Sequence, residues 1–146
     1  MFFKIISAGT SGIEGYIVEV EADMTKGLPG FSLVGLPNAA VKESKERIKS
    51  AVCNSGFRYP NKKIIVNLSP ADIKKEGSHY DLAIALAILR EVENIAEEKF
   101  EDIAFIGELS LDGKLKPIKA CTALILGLLK NSKIKKVIIP FENFNE

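Results

Sequence analysis

A chain of 146 residues suits one domain with a single core, and 47% hydrophobic against 27% charged residues excludes disordered and collagen-like classes. Its 20 basic and 19 acidic side chains leave a formal net charge of +1, without the basic excess of a dedicated nucleic-acid module. No stretch reaches the ~20 apolar residues of a membrane span, and "MFFKIISAG" is too short an apolar run for a signal peptide, so the expectation is a cytoplasmic domain without a membrane partner.

"FKIISAG" (Phe3 to Gly9) reads as a first strand. "GYIVEVEADM" (Gly15 to Met24) alternates, with Val18, Val20 and Ala22 on one side and Ile17, Glu19 and Glu21 on the other. "FSLVG" follows a "TKGLPG" turn, and three strands with short links predict an antiparallel start. "LPNAAVKESKERIKSAVCNSG" then changes to a helical period, with Asn38 as N-cap and Gly56 as terminator. "KKIIVNLSP" (Lys62 to Pro70) is a strand lined by Ile64, Val66 and Leu68. A second helix runs from Tyr80 to about Val92, its stripe formed by Leu82, Ala85, Leu86 and Leu89 and widened by Ile84 and Ile88. "IAFIGELSL" (Ile103 to Leu111), a "DG" turn and "KLKPI" form a hairpin. "ACTALILGLLKNS" is a third helix and "KKVIIP" (Lys135 to Pro140) a last strand. The fold class expected is α+β: a two-layer mixed sheet with helices mainly on one face.

Cys53 and Cys121 lie in helical patterns among apolar neighbours, so two buried, reduced thiols are expected. With one histidine they do not supply the four ligands of a zinc site, and no metal site is expected.

"KKEGSHYDLAIALAILRE" (Lys74 to Glu91) gathers Ser78, His79 and Asp81 ahead of an apolar helix. A catalytic triad needs members that converge through hydrogen bonds, which adjacent positions rarely do, and Tyr80 stands where a nucleophile elbow has glycine. Ser-x-x-Asp reads instead as a capping box, Ser78 accepting from the Asp81 amide and Asp81 favouring the positive end of the helix. "GELSLDGKL" (Gly107 to Leu115) is not a phosphate-binding loop: five residues separate its glycines where the motif has four, and Leu115 stands where Ser or Thr must reach magnesium. Lys42, Lys45, Arg47, Lys49, Arg58, Lys62 and Lys63 cluster along the first helix and the strand after it. Glu43 and Glu46 interleave with them, as on a solvated face.

The blocks "GLPGFSLVGLPNAAVKESKERIKSA" (Gly27 to Ala51), "NSGFRYPNKKIIVNLSPADIKKEGSHYDLAIALAIL" (Asn54 to Leu89), "FIGELSLDGKLKPIKA" (Phe105 to Ala120) and "VIIPFEN" (Val137 to Asn143) together resemble the N-terminal domain of the ComM/YifB, or magnesium-chelatase-related, family. One departure is Ala83, where the family commonly has proline after Asp-Leu. The resemblance implies one Lon-like domain over residues 1–146 and a following AAA+ ATPase module, absent from this chain, that binds ATP and magnesium. It implies no cofactor in the domain itself. It also implies a homo-hexameric ATPase that acts as a DNA branch-migration helicase in natural transformation and recombination, so the partners expected are its own AAA+ module, other subunits and DNA. The preferred interface is the Gly27-to-Ala51 block: Gly27, Leu28, Pro29 and Gly30 beside Lys42, Lys45, Arg47 and Lys49.

The domain also resembles the proteolytic domain of Lon, whose Ser-Lys dyad places its serine in a Lys-Asp-Gly-Pro-Ser-Ala-Gly turn. Laid on Lys75-Glu76-Gly77, that turn puts Ser78 at the proline position and His79 at the nucleophile position. Aligned on Pro117-Ile118, the dyad lysine falls near Thr122, with Lys119 three positions early. The implication is a Lon-like fold without Lon chemistry and without catalytic residues. Two alternatives stay open: a one-residue slip that makes Ser78 and Lys119 a cryptic peptidase pair, and a magnesium-chelatase-type partner-binding module.

Overall fold

Residues 2–145 are described by a computed structural model. Alternation builds its first hairpin: β1 (Phe2–Ser11) and β2 (Glu14–Thr25) pair antiparallel through Ile5↔Val20 and Ala8↔Ile17. Val18, Val20 and Ala22 are fully buried on one face, and Ile17, Glu19 and Glu21 take the other, as a period of two requires.

The third strand corrects the antiparallel start. β3 (Gly30–Val34) runs parallel to β4 (Lys63–Ser69) in the register Phe31↔Ile64 and Leu33↔Val66, and β4 lies between it and β2. The physical reason is the apolar side of β4. Ile64, Val66 and Leu68 bury completely only in an interior position, so β4 takes it and leaves β3 at the edge. β5 (Ile103–Phe105) and β8 (Lys136–Ile138) extend the sheet beyond β1 in parallel, giving the order β3-β4-β2-β1-β5-β8. Every strand of this sheet except β2 runs the same way.

The segment expected as one strand from Ile103 to Leu111 breaks at Ile106-Gly107. Its second half, β6 (Glu108–Leu109), pairs only with β7 (Leu115–Lys116) in a separate hairpin. The Asp-Gly turn is present, with Gly113 at φ +93°.

The expected first helix is two: α1 (Ala39–Lys42) and α2 (Ser44–Asn54). Asn38 caps α1, its Oδ1 accepting from the Val41 amide at 3.0 Å, and Gly56 at φ +87° ends α2. Within α3 (Asp81–Val92) the expected Ala85, Ile84, Ile88 and Leu89 are buried together with Ala83 and Ala87, while Leu82 and Leu86 are only half-buried. Alanines at the contact let α3 approach β1 and β2 closely, which leaves Leu82 and Leu86 at its flanks.

These helices share one face of a mixed α+β sheet, and their core runs from Ile5 and Val20 through Ile48 to Ile84. The exception is α4 (Cys121–Leu128), which covers the opposite face over Ala8, Ala104 and Ile106. It rests directly on the β2 backbone, since a Cβ on Gly127 would stand 2.4 Å from Gly15. The sheet thus divides the expected single core into two clusters. Cys121 is buried there, but Cys53 is exposed because it falls on the outer face of α2, and the two are not joined in a disulfide. Among the described residues no helix is long and apolar enough to cross a membrane.

Candidate functional site

The Gly77–Asp81 turn meets α2 and the β6–β7 hairpin around a cleft of about 440 Å³. Main-chain bonds weld it shut on one side: the Gly107 amide donates to the His79 carbonyl at 2.9 Å, and Leu82 donates back to Gly107 at 3.1 Å. Gly77 sits at φ +96°, and a Cβ there would lie 2.9 Å from His79 Nδ1, so the turn demands glycine twice over.

Asp81 does not serve the helix end. Its side chain is fully buried, and Arg47 of α2 donates to it twice, Nε to Oδ2 at 2.7 Å and NH2 to Oδ1 at 3.0 Å. The Leu109 amide adds a third bond at 3.0 Å, so one carboxylate joins α2, α3 and the hairpin. Burial raises the Asp81 carboxyl above its ordinary value, and the Arg47 and Leu109 bonds pull it back. The capping box is therefore a correction. Ser78 accepts from the Asp81 amide through its main-chain carbonyl at 3.3 Å, and its hydroxyl makes no bond to that amide. The Arg47 charge outbids the helix end for Asp81, and Ser78 lines the cleft instead.

His79, at the position where the resemblance puts a nucleophile, is 8% exposed. Its Nε2–H donates to the Ala8 carbonyl at 2.8 Å, and burial pushes its pKa down to about 4. The ring is thus neutral and anchored to β1. Beside it Tyr80 is fully buried, its hydroxyl against Gly9 and the Tyr16 ring. Thr122, the position aligned with the Lon lysine, is exposed on α4 and does not line the cleft, whereas Lys119 does. The reason is Ala120, whose left-handed φ of +58° turns the chain between Lys119 and α4. Ser78 and Lys119 share the cleft, and among the described residues no hydrogen bond joins them.

Lys75, the residue at the start of the Lon-like turn, is fully buried. Its Nζ donates to the carbonyls of Gly35, at 2.9 Å, and Pro70, and burial lowers its pKa. Its own amide donates to Leu36 and its carbonyl accepts from Asn38, both at 3.0 Å, which staples the β3–α1 loop to the turn. Sequence reasoning missed Lys75 and the Arg47–Asp81 pair, since Gly35 lies 40 residues from Lys75 and Asp81 lies 34 from Arg47.

The expected interface divides. Leu28 is 88% exposed, with Gly27 and Lys42 also exposed, while Pro29 and Gly30 form a groove with Lys45 and Lys49. Arg47 faces the cleft and belongs to a different surface. Among the described residues no group of three or more His, Cys, Asp or Glu side chains could hold a metal.

A family profile described as subunit ChlI of Mg-chelatase matches residues 20–143. The chain is 40% identical to the Escherichia coli protein YifB over 135 residues, 92% of this chain and 26% of the relative. It is 38% identical to the competence protein ComM of Haemophilus influenzae over 142 residues, 97% of this chain and 28% of the relative. A more distant similarity, 26% over 140 residues, joins 91% of the chain to 17% of a Lon protease of Trichlorobacter lovleyi. The chain thus spans about a quarter of the length of its nearer curated relatives.

Proposed function

Because the chain belongs to the ComM/YifB family of magnesium-chelatase-related proteins, we propose that it works as a non-catalytic accessory domain of a hexameric AAA+ ATPase that migrates DNA branches in natural transformation and recombination. One observation carries the non-catalytic part: the nucleophile position holds His79, whose buried ring is bonded to Ala8. A neutral imidazole held by a main-chain carbonyl is a structural prop, and no activated nucleophile stands beside it. ATP and magnesium act in the AAA+ module, and this domain takes no cofactor. Its partners are that module, the neighbouring subunits of the ring and, through the assembled protein, DNA; the assembly is cytoplasmic.

The experiment compares the full-length protein with a form lacking residues 1–146, measuring hexamer formation, ATP hydrolysis and branch migration. ATP hydrolysis persists while assembly or branch migration falls, if the accessory role is right. Unchanged behaviour in all three overturns it.

A second reading rests on Ser78 and Lys119 sharing one cleft. A Ser-Lys peptidase built on them would cleave an unstructured protein such as casein and lose that activity in both Ser78→Ala and Lys119→Ala. The accessory role predicts no cleavage above background in any of the three proteins.

A further inference from the structure

A second concavity lies on the other side of α2. It is a groove of about 600 Å³ between that helix, the start of β3 and the segment leading into β4. Its base is fixed, since the Gly30 amide bonds the Lys62 carbonyl at 3.4 Å and Phe31 is registered on Ile64. Two half-buried aromatic rings, Phe31 and Tyr59, line it while packing on the core beneath. Lys49 Nζ sits 5.7 Å from the Tyr59 ring centroid.

The cations around this groove are not equivalent. Lys62 is committed to Glu91 at 2.6 Å. Among the described residues neither Lys45 nor Lys49 has a carboxylate within ion-pair reach, and Glu46 is the single acidic side chain in the wall. An adjoining cavity of about 370 Å³ shares Tyr59 through Lys62 and adds Arg58, which is exposed and, among the described residues, also without an ion-pair partner. Burial pushes the Tyr59 phenol up to about 12, so it stays neutral beside an anion.

Unpaired cations flanking aromatic faces on a fixed base are what a single-stranded nucleic acid needs: charge for its phosphates and a ring for an unstacked base. An acidic peptide would use the cations but has no use for the rings. We propose that this groove holds a short stretch of single-stranded nucleic acid, with phosphates on Lys45, Lys49 and Arg58 and a base against Phe31 and Tyr59. The inference rests on the DNA-handling part of the proposed function and places it on this domain.

The test is fluorescence anisotropy of a labelled 12-nucleotide oligo(dT) with the 146-residue chain, from 25 to 200 mM salt. Three phosphate contacts give a slope of log affinity on log salt of about −2. The double substitution Lys45→Ala/Lys49→Ala weakens binding at least about tenfold at 25 mM salt and flattens that slope. Tyr59→Ser weakens it about tenfold with the slope unchanged. Circular dichroism verifies that each variant is folded, and the two lysine changes, at the surface, keep the test decisive if Tyr59→Ser unfolds. Lys133→Ala/Lys135→Ala, in a separate cavity, leaves binding unaltered. Absence of binding at 25 mM salt, equal binding by Lys45→Ala/Lys49→Ala, or preference for a poly-glutamate peptide over the oligonucleotide each overturns the groove. None of these results bears on the accessory role, which the deletion of residues 1–146 measures separately.

Discussion

The two sides of α2 treat charge in opposite ways. Toward the cleft, Arg47 is only 17% exposed and is consumed by the fully buried Asp81, with Glu43 one turn away at 3.7 Å. Toward the groove, Lys45 and Lys49 have no such partner among the described residues. A charge buried against its counter-ion stabilises a particular packing and is lost to solution chemistry, whereas a charge left at a groove rim remains available to a ligand. The cleft side of α2 thus spends its charge on packing, and the groove side leaves its charge at the rim, where the proposed ligand would sit.

The largest break of this contrast comes from Arg47→Met, which strands a buried carboxylate and costs about 3–5 kcal/mol in a urea titration. Pairing it with Asp81→Leu recovers much of that loss, because no uncompensated charge remains. A single substitution as costly as the pair would contradict the latch.

Next in size is the pH dependence set by His79. The unfolded chain takes up this proton near pH 6.5 and the fold only near 4, so stability is fully present above 6.5 and falls as pH drops between the two. The amount is about 3 kcal/mol, and His79→Gln, which keeps a donor toward Ala8, removes that part of the slope. An unchanged pH profile in the variant would show that His79 is not held neutral.

Lys75→Met leaves the Gly35 and Pro70 carbonyls without their donor, at a cost of about 2 kcal/mol, and loosens the β3–α1 loop in hydrogen exchange. Smallest is Ser78→Ala, expected within about 0.5 kcal/mol of the parent, since a true N-cap would cost about 1 kcal/mol or more. Lys45→Ala/Lys49→Ala likewise leaves thermal stability unmoved while abolishing most oligonucleotide binding, which separates the two sides of the helix.

Much of the fold was legible in local patterns. β1, β2 and β4 follow their alternation, Asn38 caps and Gly56 terminates where side-chain chemistry requires, and the Asp-Gly turn sits in its hairpin. Strand pairing was not, because the partner of β3 depends on which strand most needs an interior place. The candidate site was half legible: Ser78 and Lys119 do share a cleft, yet nothing local disclosed that Asp81 would leave the helix end for Arg47.

By itself the sequence determined most of the elements and the family, since these depend on period, turn chemistry and residue identity. Only the tertiary structure decided which charges are neutralised. Burial and a counter-ion 34 residues away set the state of Asp81, and no neighbour in the chain carries that information.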